Sequence, residues 1–298
     1  MATVTERRPG SSRLVLLPLT VLAILFAEVA LPGEHRAAAG GRWASEVVPA
    51  VVAAYGESGA IAVAVARLQE RPAGDPVRGY EARRVHAAGW SADNGAPAAA
   101  PIPTASMVKL LMAEDILHRS RAGLLSLTRE DFALLQAMIR RSDDPAASAL
   151  WVRFGGGRMV TDVAARYGLP GTTPPTSPGQ WGSTMTTARD LARFLSLLPV
   201  VAHPADAGAL MVWMRTATPV AADGFVQRFG LFGTAPVLTA VKQGWMCCVG
   251  GDRHLHSVGV VGHRVVVLLS EVPRAVGYDA ARAALTAAAA AVPPPRHP

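Results

Sequence analysis

Two-residue alternation of apolar side chains occurs near both ends of this chain and almost nowhere between, which limits the folds open to it. Ala60 to Leu68 alternates Val with Ala and reads as a strand, and Arg83 to Trp90 as a second, shorter one. After Pro236 three more runs follow, Val237 to Trp245, His254 to Val261 and Arg264 to Glu271, the last two joined by a tight turn at Gly262-His263. From Pro103 the spacing is helical instead. It predicts helices from a cap at Thr104 or Ser106 to about Arg119, then over Leu127 to Arg140, Pro145 to Phe154, Met159 to Tyr167 and Thr186 to Leu198. Thr128 followed by Asp131 is an N-cap signal for the second of these. Trp213 and Met214 read as core. Ser91 to Pro103 reads as an aperiodic loop, and Gly168 to Thr184 as a polar, Pro-rich loop too long to be a mere connector. Helices over Trp43 to Tyr55 and Val276 to Val292 have apolar stripes that must lie on something larger. Strands at both ends around a helical middle imply a mixed α/β fold. One antiparallel sheet (40–103 and 236–292) is flanked by terminal helices, with an all-helical domain (104–235) inserted.

Residues 1–39 read as a signal peptide. Arg7, Arg8 and Arg13 precede an apolar run from Leu14 to Phe26, and Ala37-Ala38-Ala39 offers a small-residue cleavage site. Pro18 interrupts the run, which ends short of the ~20 residues that a spanning helix needs. The expectation is an exported protein, secreted or in the cell envelope, with a domain over 40–292 and a tail over 293–298. An uncleaved membrane anchor is the alternative. No cysteine lies near the cleavage point, so lipid attachment is not expected there.

The net charge of +7 does not indicate nucleic-acid binding, because the arginines are scattered singly or in pairs without interleaved aromatics. They suit a solvated basic surface. The two cysteines, Cys247 and Cys248, are adjacent and cannot staple distant segments. Two reduced or partly buried thiols are expected, with a vicinal disulfide as the alternative. His203, His254, His256 and His263 lack metal-ligand spacing and read as surface or strand histidines. Neither metal nor cofactor is expected. Glu271, at a strand end, reads as half of a structural ion pair, and a monomer is expected.

The chemistry-bearing stretches begin with a scarcity. Of 29 basic residues only Lys109 and Lys242 are lysines. Arginine stays protonated, whereas a buried lysine can lose its proton and accept another. Ser106 stands one helical turn before Lys109, the spacing that lets an amine activate a hydroxyl. Two other stretches belong with Ser106-Met-Val-Lys109: Ser142-Asp143-Asp144, after a helix, and Lys242-Gln243-Gly244, in a strand. This order resembles the Ser-x-x-Lys, Ser-Asp-Asn and Lys-Thr-Gly set of serine β-lactamases and penicillin-binding proteins, specifically the class A β-lactamase type. The resemblance runs from about Trp43 to Ala291 and takes in Gly155-Gly-Gly157 and Thr186 to Ala192.

The resemblance implies roles for these residues. Ser106 would be the nucleophile, with its N–H and that of Trp245 as the oxyanion hole. Lys109 would take the serine proton and Ser142 relay it to the leaving nitrogen. Lys242 would set the pocket's electrostatics and attract a substrate carboxylate. Asp144, Gln243, Gly244 and Trp245 would contact substrate, Gly244 leaving room for it along the strand. The substrate would be a small β-lactam or a cell-wall peptide-like amide.

Three departures qualify this. Asp144 replaces an asparagine and can only accept hydrogen bonds; a role as N-cap of the helix over Pro145 to Phe154 suits it, with Pro145 at N1. Gln243 replaces a threonine and fills space that a β-lactam would use. Class A enzymes hydrolyse the acyl-enzyme with a glutamate on the omega loop, yet no glutamate occurs between Glu130 and Glu271, and Leu169 to Thr187 has no aspartate. Gln180 can orient a water there but cannot carry its proton. The 36-residue separation of Ser106 and Ser142 also implies that a hairpin of larger members is missing. The expected function is acyl transfer through a Ser106 ester with slow deacylation. The alternatives are a D,D-peptidase or esterase, and a non-catalytic penicillin-binding sensor.

Overall fold

The computed structural model describes residues 32–71, 91–234 and 239–294, with side chains from residue 41 onward. Most of the expected signal peptide, the expected strand over Arg83 to Trp90, the start of the run at Val237 and the last four residues lie outside the described residues.

Five strands form one antiparallel sheet in the order β2-β1-β7-β6-β5. They are β1 (Ala60–Arg67) and β2 (Ser91–Asp93), then β5 (Ala240–Val249), β6 (Asp252–Val261) and β7 (Arg264–Pro273). Chain segments from both ends meet where β1 pairs with β7, Val63 opposite Leu268. Side chains alternate across a strand, and β1 uses this fully. Ile61, Val63 and Val65 face the terminal helices α1 (Pro32–Tyr55) and α10 (Tyr278–Ala290), packing with Val47, Val51, Tyr55, Leu285 and Ala288. Ala62, Ala64 and Ala66 face the helical domain, where small side chains let α7 (Ala188–Val201) lie close to the sheet.

The expected loop over Ser91 to Pro103 is instead ordered. Strand β2 is followed by a short helix α2 (Ala96–Ala99) and by β3 (Ile102–Pro103), which pairs with β4 (Met185–Thr186). Too few residues are involved for a period to appear in the sequence. Asn94 extends the sheet edge with its side chain, accepting from the Val63 N–H at 2.9 Å and donating to the Ile61 carbonyl at 2.8 Å.

In the helical domain, α3 (Val108–Arg121) is buried continuously from Val108 to Leu117. Around it stand α4 (Arg129–Arg140), α5 (Asp144–Phe154), α6 (Gly157–Tyr167) and α8 (Pro204–Arg215), with α7 packed on α6, α8 and the sheet and a short α9 (Leu231–Thr234) leading back to the sheet. The Thr128–Asp131 pair forms a reciprocal capping box on α4. Neither Thr104 nor Ser106 caps α3 with its side chain; a 3-10 turn over Ala105–Met107 feeds into it. The polar acids of α3 are satisfied internally: Arg166 reaches Glu114 at 2.8 Å and Asp115 at 3.0 Å, and the Tyr167 hydroxyl donates to Glu114 at 3.0 Å. Trp213 and Met214 are core, as their spacing predicts.

Candidate active site

Ser106 lies in the middle of the 3-10 turn, where the helical domain meets strand β5. Its neighbour Ala105 has φ of 45°, a conformation that L-residues other than glycine rarely adopt and that costs of order 1–3 kcal/mol. The turn is pressed against β5 at Gly244. A Cβ there would stand 2.9 Å from Met107 Cε, 3.2 Å from the Ser106 backbone nitrogen and 3.4 Å from Ala105 Cβ. The glycine therefore makes room for the serine turn itself, rather than for a substrate lying along the strand. Among the described residues β5 is at the sheet edge, paired on one side by β6 with Gly244 opposite His256.

Behind Ser106 the two lysines converge on one hydroxyl. Lys242 Nζ donates to Ser142 Oγ at 2.8 Å and to its neighbour's carbonyl, Gln243 O, at 2.7 Å. Lys109 Nζ donates to the Ser142 carbonyl at 2.6 Å and lies 3.3 Å from Ser142 Oγ. Ser142 has φ of 51°, and among the described residues it and Ala105 are the non-glycine residues with positive φ, both at the site. Both lysines are buried, and burial pushes the Lys109 ammonium below its ordinary pKa, opposed by the charge of Asp144. Lys242 is driven well below the lysine range by burial and then by the positive charge of Lys109. A hydroxyl that accepts from two amines keeps its own proton free to donate, so Ser142 can pass a proton onward. Among the described residues Ser106 Oγ has no hydrogen bond, and contacts of this type often tighten only when substrate is present.

Asp144 differs from its sequence reading. The N-cap of α5 is Asp143, whose carboxylate accepts from the Ala146 N–H at 2.9 Å. Asp144 is the first helical residue and Pro145 the second, so the helix has no need of the Asp144 side chain for capping. That side chain instead pairs with Lys109 Nζ and leaves 54% of its surface open. Adjacent aspartates look alike to a pattern of residue types; which one caps depends on where the backbone turns.

Gln243 is also placed otherwise than expected. It is buried on the far side of β5, donating to the carbonyls of Gln227, at 3.2 Å, and Phe229. Strand alternation turns it away from the cleft, so its amide does not reach a ligand there. Trp245 lines the cleft, but the same alternation carries its ring to the side of β5 that holds Gln243, where it stacks on Phe225 (centroids 4.5 Å apart) and its indole N–H donates to Asp223 at 3.2 Å.

The cleft itself has a volume of about 240 Å³ and is lined by Ala105, Ser106, Asp144, Gln180, Trp181 and Trp245, with Gly179, Gly182 and Met246. Thus Ser106, Asp144 and Trp245 come together at its surface, Lys109, Ser142 and Lys242 stand behind them, and Gly244 packs against the serine turn. Trp181 was not singled out in the sequence. Its ring lies 4.8 Å from Lys109 Nζ and its indole N–H donates to Ser148 at 3.2 Å, roofing the lysine. The loop carrying Gln180 and Trp181 is pinned at its base. Asp190 accepts from the Gly171 N–H and the Thr172 hydroxyl, both at 2.8 Å, and Thr173 pairs with Met185. A tryptophan in a Pro/Gly-rich polar loop was the available signal, because such a loop has no interior of its own to bury it.

Two further sequence readings are corrected here. Cys247 and Cys248 form a vicinal disulfide at the end of β5, next to the cleft residue Met246, rather than two thiols. His254 and His256 are strand residues, as expected, but not surface ones: His256 is fully buried with Nε2 2.8 Å from the Pro103 carbonyl. Burial and the neighbouring His254 hold its pKa down to about 3. Glu271 lies 3.4 Å from His254 Nδ1.

No family model matches the chain. Proteins of Mycobacterium tuberculosis and Mycobacterium bovis, each named Putative lipoprotein LppW, are 40% identical to it over 192 residues, covering 63% of this chain and 61% of theirs. The chain thus spans less than two thirds of the length of the curated relatives it matches. Among solved structures, a β-lactamase from Chitinophaga pinensis superposes with a TM-score of 0.62 at 14% identity, over 84% of this chain and 97% of that one. A variant of the last common ancestor of Gram-negative bacterial class A β-lactamases gives 0.59 at 19%, over 83% and 97%. The TLA-3 extended-spectrum β-lactamase gives 0.64 at 11%, over 84% and 98%. The fold is that of the class A β-lactamases.

Proposed function

We propose that this protein is an exported serine acyl-transfer hydrolase that forms an ester on Ser106 with β-lactams or related amides. The observation that carries the reading is the Ser142 hydroxyl held by two buried lysines beside a strained serine turn, at the wall of a cleft. In this mechanism Lys109, unprotonated, takes the Ser106 proton as Oγ attacks the carbonyl carbon. The N–H groups of Ser106 and Trp245 hold the tetrahedral oxyanion, each worth about 3 kcal/mol. As the C–N bond breaks, the proton passes from Lys109 through Ser142 to the leaving nitrogen. Lys242 keeps Ser142 oriented through its 2.8 Å hydrogen bond. The domain acts as a monomer over residues 40–292, released from a signal peptide over residues 1–39. The lipoprotein name of the relatives agrees with a place at the cell envelope.

The test is mass spectrometry of the purified protein with a fluorescent penicillin. A mass increase equal to the whole penicillin, located on the Ser106 peptide, is expected. If neither penicillin nor a fluorophosphonate labels that peptide, the nucleophile assignment is wrong and a ligand-binding, non-catalytic role replaces it. A second reading, a D,D-peptidase or esterase for acyl donors without a carboxylate, draws on two features. Gln243 is spent on backbone carbonyls, and the cleft wall carries the acidic Asp144. It predicts faster labelling by neutral esters than by penicillin.

A further inference from the structure

The loop at the cleft mouth has no carboxylate, so hydrolysis of a Ser106 ester has no base in the expected place. The cleft nevertheless has one. Among the described residues that line it, Asp144 is the carboxylate, and it shares the wall with Ser106 and with Gln180. Three features separate it from an ordinary first-turn aspartate. Helix capping is done by Asp143, so α5 does not require the Asp144 side chain. Its rotamer is fixed by the bond to Lys109 Nζ, the same amine that serves Ser106. Yet half of its surface stays open to the cleft, where a water can reach it.

We propose that Asp144 is the general base that activates water for hydrolysis of the Ser106 acyl-enzyme. The inference rests on the acyl-enzyme reading above. Water, oriented by the Gln180 amide, attacks the ester carbonyl carbon while its proton moves to an Asp144 oxygen. When the tetrahedral intermediate collapses, the bond between Ser106 Oγ and carbon breaks. Asp144 returns its proton to Lys109, and Lys109 delivers one to Ser106 Oγ as it leaves. The carboxylic acid departs, and Asp144 is again anionic with Lys109 neutral, so no other reactant is needed.

A role confined to neutralising Lys109 would instead alter acylation. The experiment therefore follows both steps by intact mass after a single pulse of fluorescent penicillin, in the full chain and in Asp144→Asn and Asp144→Ala variants. The expected result is labelling of Ser106 in all three, with any change in acylation read separately, from the rate at which the label appears. The ester should be lost 10²- to 10⁴-fold more slowly in both variants, the usual range for a general base. Added formate should restore its loss in Asp144→Ala. Labelling with an unchanged ester lifetime in both variants overturns this inference and leaves the nucleophile in place. A lifetime lengthened in both but unmoved by formate in Asp144→Ala, together with acylation slowed more than a hundredfold, also overturns it, because Asp144 then acts through Lys109. Absence of label on Ser106 in all three proteins overturns this inference and the acyl-enzyme reading together.

Discussion

Lys109 can accept a proton only while unprotonated, and the structure places it between two opposing influences. Burial favours the neutral amine, whereas the Asp144 carboxylate favours the ammonium, and burial is the larger. Acylation of Ser106 should therefore rise with pH as Lys109 deprotonates and level off below the pH of an ordinary lysine, near 10.5. Stopped-flow labelling between pH 5 and 9 measures this, and a rate that is flat or falls with pH would remove Lys109 as the base. Lys109→Arg keeps the charge and abolishes the acceptor, so acylation should drop by about 10²–10⁴. The scarcity of lysine made both site lysines legible in the sequence. Their convergence on Ser142 was not: a strand residue and a helix residue 133 positions apart meet only through the tertiary fold. The same holds for Asp144, since Ser-Asp-Asp gives the residue types but not which carboxylate faces the helix and which the cleft.

At the scale of elements, the junction of the 3-10 turn with β5 decides where Ser106, the proposed nucleophile, stands. Gly244→Ala would put a methyl group against Met107 Cε and the Ser106 amide. Methionine can move, but the backbone nitrogen can do so only by shifting the turn that carries Ser106 and its proposed oxyanion donor. The expected cost is about 1–3 kcal/mol in urea unfolding, with acylation falling at least tenfold because a small misplacement of reacting groups is expensive. Wild-type labelling with the alanine in place would show that the turn is not held by β5. Strand alternation made β1, β6 and β7 readable because one residue in two must face each core. The same alternation, applied strictly to β5, turns Gln243 away from the cleft. Short elements such as β2 and β3 escape this reading, since two or three residues do not establish a period and their pairing depends on Asn94 and on partners 82 and 84 residues later.

For the molecule as a whole, the seam between the sheet and the helical domain is also where its acid tolerance is set. His256 stands in β6 behind Gly244, fully buried, with Nε2 against the Pro103 carbonyl and Nδ1 accepting from the Ser270 N–H at 3.3 Å. That pattern fixes a neutral ring, and the folded pKa is held down to about 3 against 6.5 for the free side chain. A group whose folded pKa is depressed binds protons more readily in the unfolded chain. Its full contribution is therefore present above about pH 6.5 and is lost as pH falls toward 3. Each pH unit in that window is worth about 1.4 kcal/mol, so at pH 5 the loss from His256 is about 2 kcal/mol. His254 alongside, also pushed down by burial, adds in the same direction. Urea unfolding at pH 7.5 and pH 5 should show this loss, and His256→Asn, which cannot take a proton, should be less stable at pH 7.5 but markedly less sensitive to acid. Comparing slopes cancels the carboxylates and the two lysines, which the variant leaves in place. Equal pH slopes in the two proteins would mean that the histidine is not the group whose protonation opens the seam. Because β6 supports β5 at the residue opposite His256, the same acidification should slow Ser106 labelling only where unfolding begins. A parallel fall well above that pH would belong to Lys109 instead.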